Sequence, residues 1–152
     1  MADGPPGRGY WTPGKTFIRY WTRLHIRAYR LSRGRVLYRM RGMPTLLLTT
    51  TGRKSGQLHT VALPYFADGP DPVVVGSYAG AERDPAWVLN LRTDPAVEVQ
   101  DRGDVRRARA VILEGEERAA VWQRLIGRHS WYADYQTRTS REIPLVRLVR
   151  SP

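Results

Sequence analysis

Cysteine is absent from the 152 residues, which excludes a disulfide framework, a thiolate nucleophile and a thiolate metal site, and gives no reason to expect an oxidising compartment. Long apolar runs are missing too: no stretch approaches the roughly 18 residues a spanning helix needs, and the opening MADGPPGRGYWTPGK has no basic-then-apolar order of a signal peptide. The expectation is a cytoplasmic chain that neither crosses a membrane nor is exported. Histidine occurs three times, at His25, His59 and His129, too dispersed for a metal cluster, so no metal ligand is assigned. A G-x-S-x-G elbow and a Walker loop are both lacking, which disfavours a hydrolase triad and a nucleotide-phosphate loop. Acids are scarce, 14 against 25 Lys and Arg, but the scarcity is local. Residues 1–41 hold ten cations and one acid, Asp3, whereas the remainder holds fifteen against thirteen.

What is present divides the same way. Residues 1–14 carry four glycines and three prolines and read as a flexible arm. From Lys15 the text takes a helical period: Phe17, Tyr20, Trp21, Leu24, Ala28 and Leu31 form one apolar stripe, and Arg19, Arg23, Arg27 and Arg30 form another, with Gly34 as the stop. The domain reading is therefore a flexible arm plus basic amphipathic helix over 1–41, followed by one globular domain over 42–152. In that domain TLLLTTT, QLHTVALPYFA, VVVGSYA, AVEVQ, VRRARAVIL and IPLVRLVR read as strands. RDPAWVLNLRTDP reads as a short helix with Asp84 at the N-cap and Pro85 in the first helical position, GEERAAVWQRLIGRH as an amphipathic helix, and SWYADYQTRTSRE as an aromatic, polar connection. Strands with helices inserted between them, but not in repeated βαβ units, point to a mainly β, α+β domain built as a small antiparallel barrel.

The stretch TTTGRKSGQLHT carries the most chemistry. Between two strands, Gly52 and Gly56 expose backbone N–H groups, while Arg53, Lys54 and the Ser55 hydroxyl add donors, enough for a phosphate or a carboxylate cluster. Hairpin turns are wet and often basic, so on local chemistry alone a solvated turn and an anion-holding turn both stand.

Four segments in order, LLLTTTGRKSGQLHTV, ALPYFADG, VVVGSYAGAERDPAWVLNLRTDPAVEVQ and YADYQTRTSREIPLVRLV, resemble the deazaflavin-dependent nitroreductase and quinone reductase family, split β-barrels of the FMN-binding-like type. The resemblance spans about residues 35–150 of the sequence. It implies an oxidoreductase that passes a hydride from reduced coenzyme F420, an 8-hydroxy-5-deazaflavin, to a quinone, nitro compound or other electron-poor small molecule. It also implies that the acidic coenzyme tail lies along Gly52, Arg53, Lys54, Ser55 and Gly56, with Gln57, His59 and Tyr65 beside it. The ring is then met by Val75, Gly76, Ser77 and Tyr78, where small residues admit close backbone approach, and by Trp87, Asn90 and Leu91. Tyr132 and Tyr135 match the family's acceptor-pocket tyrosines and are the catalytic candidates, with Tyr132 the proposed donor to a developing oxyanion and a coenzyme contact as well. His59 and Tyr78 replace cations found in some relatives, which makes this tail site less basic.

Alternatives from other classes are an FMN-binding split barrel and a non-catalytic deazaflavin carrier. For the basic helix the favoured placement packs its apolar stripe on the barrel and leaves the arginines solvated. The second lays it on an anionic membrane through residues 15–41, peripheral at the inner face of the cell membrane. Nucleic acid ranks last, because no reading module accompanies the charge. Monomer and homodimer both fit.

Overall fold

A computed structural model describes residues 15–152, with side chains from Arg19 onward; the arm expected over 1–14 and the side chain of Phe17 lie outside the described residues. The strands are β1 (Arg39–Met40), β2 (Met43–Thr51), β3 (Leu58–Ala67), β4 (Pro72–Val75), β5 (Ala96–Asp101), β6 (Asp104–Ile112) and β7 (Leu145–Arg150). The helices are α1 (Lys15–Leu31), α2 (Ala86–Thr93), α3 (Gly115–Arg128) and α4 (Trp131–Thr137). Strands run in the order β2-β3-β4-β7-β6-β5, and β5 returns to pair with β2, Leu48 opposite Val99, so an antiparallel barrel closes with β1 appended to the start of β2. Closure leaves these strands without a free edge.

Alternation along the strands sorts the interior into two cores. Leu46 and Leu48 of β2, Val97 and Val99 of β5, Ala108 and Ala110 of β6 and Val146 and Leu148 of β7 point into the barrel, where α2 adds Trp87, Val88 and Leu91. Residues of opposite parity, among them Phe66, Val73 and Leu145, meet Leu113, Val121, Leu125 and Tyr132 from the α3–α4 side. β2 is buried on both faces, hence its unbroken run of leucine and threonine.

Three local readings change. The aromatic connection after α3 contains the helix α4, because the side chain of Gln136 bridges the chain downstream: its Nε2 donates to the Arg141 carbonyl at 2.7 Å and its Oε1 accepts from the Ile143 N–H at 3.0 Å. Asp84 does not cap α2. Pro85 holds the cap position, and the Asp84 carboxylate pairs with Arg141 at 2.7 Å and Arg92 at 3.0 Å. The strand expected over VVVGSYA stops at Val75, and a 3-10 turn, Tyr78–Gly80, follows.

The larger correction concerns α1, whose apolar stripe does not pack on the barrel. Tyr20, Trp21, Leu24 and Leu31 are 71%, 55%, 48% and 88% exposed. The barrel instead receives Tyr29, fully buried, whose hydroxyl donates to the Thr45 carbonyl at 2.7 Å and accepts the Arg102 N–H at 2.8 Å. At 100° per residue Tyr29 lies well away from the centre of the stripe, so anchoring this one hydroxyl turns the stripe outward. Arg33, with φ 50°, and Gly34 then close the helix, the Gly34 N–H returning to the Tyr29 carbonyl at 2.8 Å, a Schellman-type end. Gly34 has no room for more: a Cβ there would stand 2.5 Å from the Arg102 Cα.

Tyr29→Phe should therefore leave the part-buried Arg102 N–H and the buried Thr45 carbonyl short of a partner and cost about 1–3 kcal/mol. Urea unfolding checks this through a lower midpoint at unchanged slope.

Candidate active-site groove

The turn between β2 and β3 is built by its own hydrogen bonds. The Gly52 N–H donates to the Gln57 carbonyl at 2.7 Å, the Gly56 N–H returns to the Gly52 carbonyl at 2.8 Å, and Gly56 takes φ +70°. Ser55 Oγ accepts the Gln57 N–H at 3.2 Å, which leaves the hydroxyl proton to donate outward. Ser55 and His59 fold over Gly52, where a Cβ would meet the Ser55 Oγ and the His59 Nε2 at 2.8 Å each. The backbone N–H groups of Lys54 and Ser55 have no partner among the described residues.

Asn90 of α2 ties this turn to the barrel. It is buried, its Oδ1 accepts both the Arg53 N–H at 3.2 Å and the Arg53 Nη1 at 3.1 Å, and its Nδ2 donates to Thr50 Oγ1 at 3.1 Å. Arg53 and Lys54 have no carboxylate partner among the described residues.

Between the turn, the start of β3 and α2 lies a groove of about 390 Å³, within the usual range for a small-molecule site. Its polar wall is Thr50, Arg53, Lys54, Ser55, His59 and Thr60; its apolar wall is Val61, Ala86 and Trp87. No carboxylate lines it. Beyond Arg53 a smaller cavity of about 180 Å³ continues between Tyr78, Arg83, Asp84, Ala86 and Leu89, with the Arg83 guanidinium 5.8 Å from the Tyr78 ring centre. Cations and hydroxyls together with the buried Trp87 and the exposed Tyr78 ring suit a molecule with a flat ring and an anionic tail.

The expected site residues thus separate into groups. Gly52, Arg53, Lys54, Ser55, His59, Trp87 and Asn90 meet at the groove, with Gly56 and Gln57 shaping the turn and Tyr78 at the smaller cavity. Ser77 stands half-buried just before Tyr78. Leu91 belongs to the barrel core and Val75 packs on the second core, so neither side chain lines the groove. At Gly76 the missing side chain has a packing reason, since a Cβ would lie 2.9 Å from Val88 Cγ2.

Tyr65 stands apart from the groove. It lies seven residues along β3 from the turn-proximal Leu58, about 23 Å of strand, and its hydroxyl donates to Asp101 Oδ2 at 2.9 Å. Burial first, then the Asp101 carboxylate, pushes its pKa up to about 12. Tyr132 stands apart as well: only 4% exposed, it packs in the second core with its hydroxyl on Met43 Sδ at 3.6 Å, and burial pushes its pKa up to about 12. Of the two candidate tyrosines only Tyr135 reaches the surface, half-buried beneath Arg41, which donates to its hydroxyl, and Arg138, 5.4 Å from its ring centre.

Sequence reasoning missed Thr50, Thr60, Val61 and Ala86 of the groove. Thr50 was within reach, because it shares the inward parity of Leu46 and Leu48 and is the polar residue in that series.

Against known proteins, residues 21–150 match the family model described as F420H(2)-dependent quinone reductase. The F420H(2)-dependent quinone reductase Rv1261c of Mycobacterium tuberculosis is 40% identical over 134 residues, covering 84% of this chain and 89% of that one. Among solved structures, the F420-H2 dependent reductase FDR-A is 38% identical with a TM-score of 0.62, over 69% of this chain and 93% of that one. A structure described as a domain-swapped dimer is 33% identical with a TM-score of 0.65, over 86% and 98%. HutZ of Vibrio cholerae, at 16% identity and a TM-score of 0.55 over 85% of this chain and 89% of that one, shares the barrel fold alone. A barrel of this topology, matched in sequence over most of its length, places the chain in the F420H(2)-dependent quinone reductase family.

Proposed function

We propose that this chain passes a hydride from reduced coenzyme F420 to a quinone or a comparable electron-poor organic acceptor, with the acidic tail of the coenzyme held by the turn 52–56. The observation that carries the reading is the turn itself: Arg53, Lys54 and Ser55 line a groove without a carboxylate, the Lys54 and Ser55 backbone N–H groups have no partner among the described residues, and Asn90 fixes Arg53. The family's dependence on F420 favours that coenzyme over FMN, and the cationic end of the groove fits its anionic tail.

When bound, the reduced coenzyme supplies the hydride; the protein supplies position and electrostatics. Arg53 and Lys54 neutralise the tail. Asn90 spends both ends of its amide on Arg53 and Thr50, so the cation is aimed before ligand arrives and little ordering remains to be done on binding. Trp87 and Val61 form the apolar wall and keep water from one side of the ring. Tyr135, rather than Tyr132, is the tyrosine near the bend 76–81 that can border an acceptor, since α4 packs directly on that bend.

A second reading concerns location. No helix among the described residues is long and apolar enough to cross a membrane. Yet α1 exposes Tyr20, Trp21, Leu24 and Leu31, and no residue of 19–41 forms an ion pair with an acid among the described residues. An apolar stripe beside unneutralised arginines favours lying on an anionic bilayer. In this division residues 1–41 attach and 42–152 catalyse, which would bring the groove to acceptors dissolved in lipid.

Arg53→Ala should weaken coenzyme binding by about one to two decades, read by quenching of coenzyme fluorescence; undiminished affinity at moderate salt would move the tail elsewhere. Tyr132→Phe should leave turnover with a quinone nearly unchanged, and a large loss would return its hydroxyl to the reaction. In flotation with phosphatidylglycerol-containing liposomes, Trp21→Glu with Leu24→Glu should abolish recovery in the lipid fraction, and equal recovery of both forms would remove the membrane reading.

A further inference from the structure

The bend leading into α2 has a backbone that its own residues do not favour. Tyr78, Ala79 and Gly80 follow one another with φ of 45°, 52° and 78°, and a non-glycine residue in the left-handed region costs about 1–2 kcal/mol. The turn bonds inside the bend, Gly80 N–H to the Ser77 carbonyl at 2.9 Å and Ala81 N–H to the Tyr78 carbonyl at 3.0 Å, are ordinary ones, and Ser77 adds no side-chain cap. Such a conformation persists when the surroundings over-determine it.

One distant side chain does most of this. The Arg141 Nε donates to the Ala81 carbonyl at 2.8 Å, Nη1 donates to the Gly76 carbonyl at 3.1 Å and to Asp84 Oδ1 at 2.7 Å, and Nη2 donates to the Ser77 carbonyl at 2.8 Å. Its side chain is 14% exposed. Three acceptors belong to the bend and the fourth stands just before the start of α2, so a single planar fork joins both. Steric contacts close the remaining sides: a Cβ on Gly80 would lie 2.7 Å from the Tyr135 carbonyl oxygen of α4.

The bend carries Tyr78, and Arg83 follows it; with Arg53 and Ala86 they bound the smaller cavity beyond the groove. We infer that Arg141 is a positioning residue for coenzyme binding, locking the bend 76–81 to α2 and so setting the spacing of Tyr78 and Arg83 from Arg53. This rests on the reading that the groove and its extension hold the coenzyme. Lysine keeps the charge but concentrates three donors on one nitrogen, and it cannot span four acceptors arranged around a guanidinium plane.

The test compares Arg141→Lys with Arg124→Lys, which alters another arginine–carboxylate pair, the one with Asp68, remote from the groove in sequence and outside its lining. Melting temperature, coenzyme affinity by fluorescence quenching, and separate KM and kcat values with menadione are measured well below both melting points. Arg141→Lys should lose about tenfold in coenzyme affinity, equivalent to about 1.4 kcal/mol, while Arg124→Lys binds as the wild type does. Adding Ala79→Gly to Arg141→Lys removes part of the left-handed penalty and should recover part of the affinity, an effect that general destabilisation does not produce. If Arg141→Lys does not fold, Asp84→Asn, which keeps an acceptor and removes the charge, should show a weaker loss of the same kind. Unchanged affinity in the Arg141 or Asp84 variant, or an equal loss in Arg124→Lys, overturns the inference while leaving the coenzyme reading intact; a wild-type protein that does not bind coenzyme removes both.

Discussion

Strand β2 is the constraint on which the other elements depend. It pairs with β3 on one side and β5 on the other, and that second pairing closes the barrel. Its inward leucines make the barrel core, its Thr45 carbonyl takes the Tyr29 hydroxyl that anchors α1, and Met43 at its start lies under Tyr132. Its last residues present Thr50 to Asn90. A strand committed on both edges and both faces has no freedom to slip, since a one-residue shift would exchange every inward leucine with its outward neighbour. The turn that follows inherits that rigidity.

Asn90 transmits it into the groove. A buried amide must satisfy both ends, and here the oxygen takes two donors of Arg53 while the nitrogen reaches Thr50. The cationic turn is consequently part of the packed structure although its tip is exposed. The neighbouring bend is held by the same logic with the polarity reversed, a largely buried guanidinium collecting backbone carbonyls. One wall is oriented by an acceptor and the other by a donor. Both holding residues are charge-neutral or charge-balanced locally, so the free cations facing the groove remain available.

Period and punctuation made much of this readable in advance. The alternation of β6 buries Ala108 and Ala110 and exposes Arg107 and Arg109, the proline before α2 and the Asp94-Pro95 pair bracket that helix, and the glycine-flanked turn 52–56 falls between strands that pair in register. What escaped was decided by contacts between distant residues. The rotation of α1 follows from the two partners of Tyr29, in β2 and in the β5–β6 hairpin, although the helical period alone favoured burying Tyr20 and Leu24. Tyr132 and Tyr135 look alike in sequence, yet α4 sends one into the second core and the other toward solvent. Tyr78 and Ala79 carry no sign of a left-handed backbone, because neither residue type prefers it; the cause lies some sixty residues away in Arg141.

The unneutralised arginines of α1 act beyond any surface they touch. With a formal charge of +11 on the chain and screening that sets in over about 8 Å in physiological salt, they create a positive field that gathers polyanions before contact. On the proposed reading, in which the turn holds the acidic tail, such a field would raise the rate at which the coenzyme arrives and make that rate sensitive to ionic strength, while the geometry around Asn90 would set how long it stays.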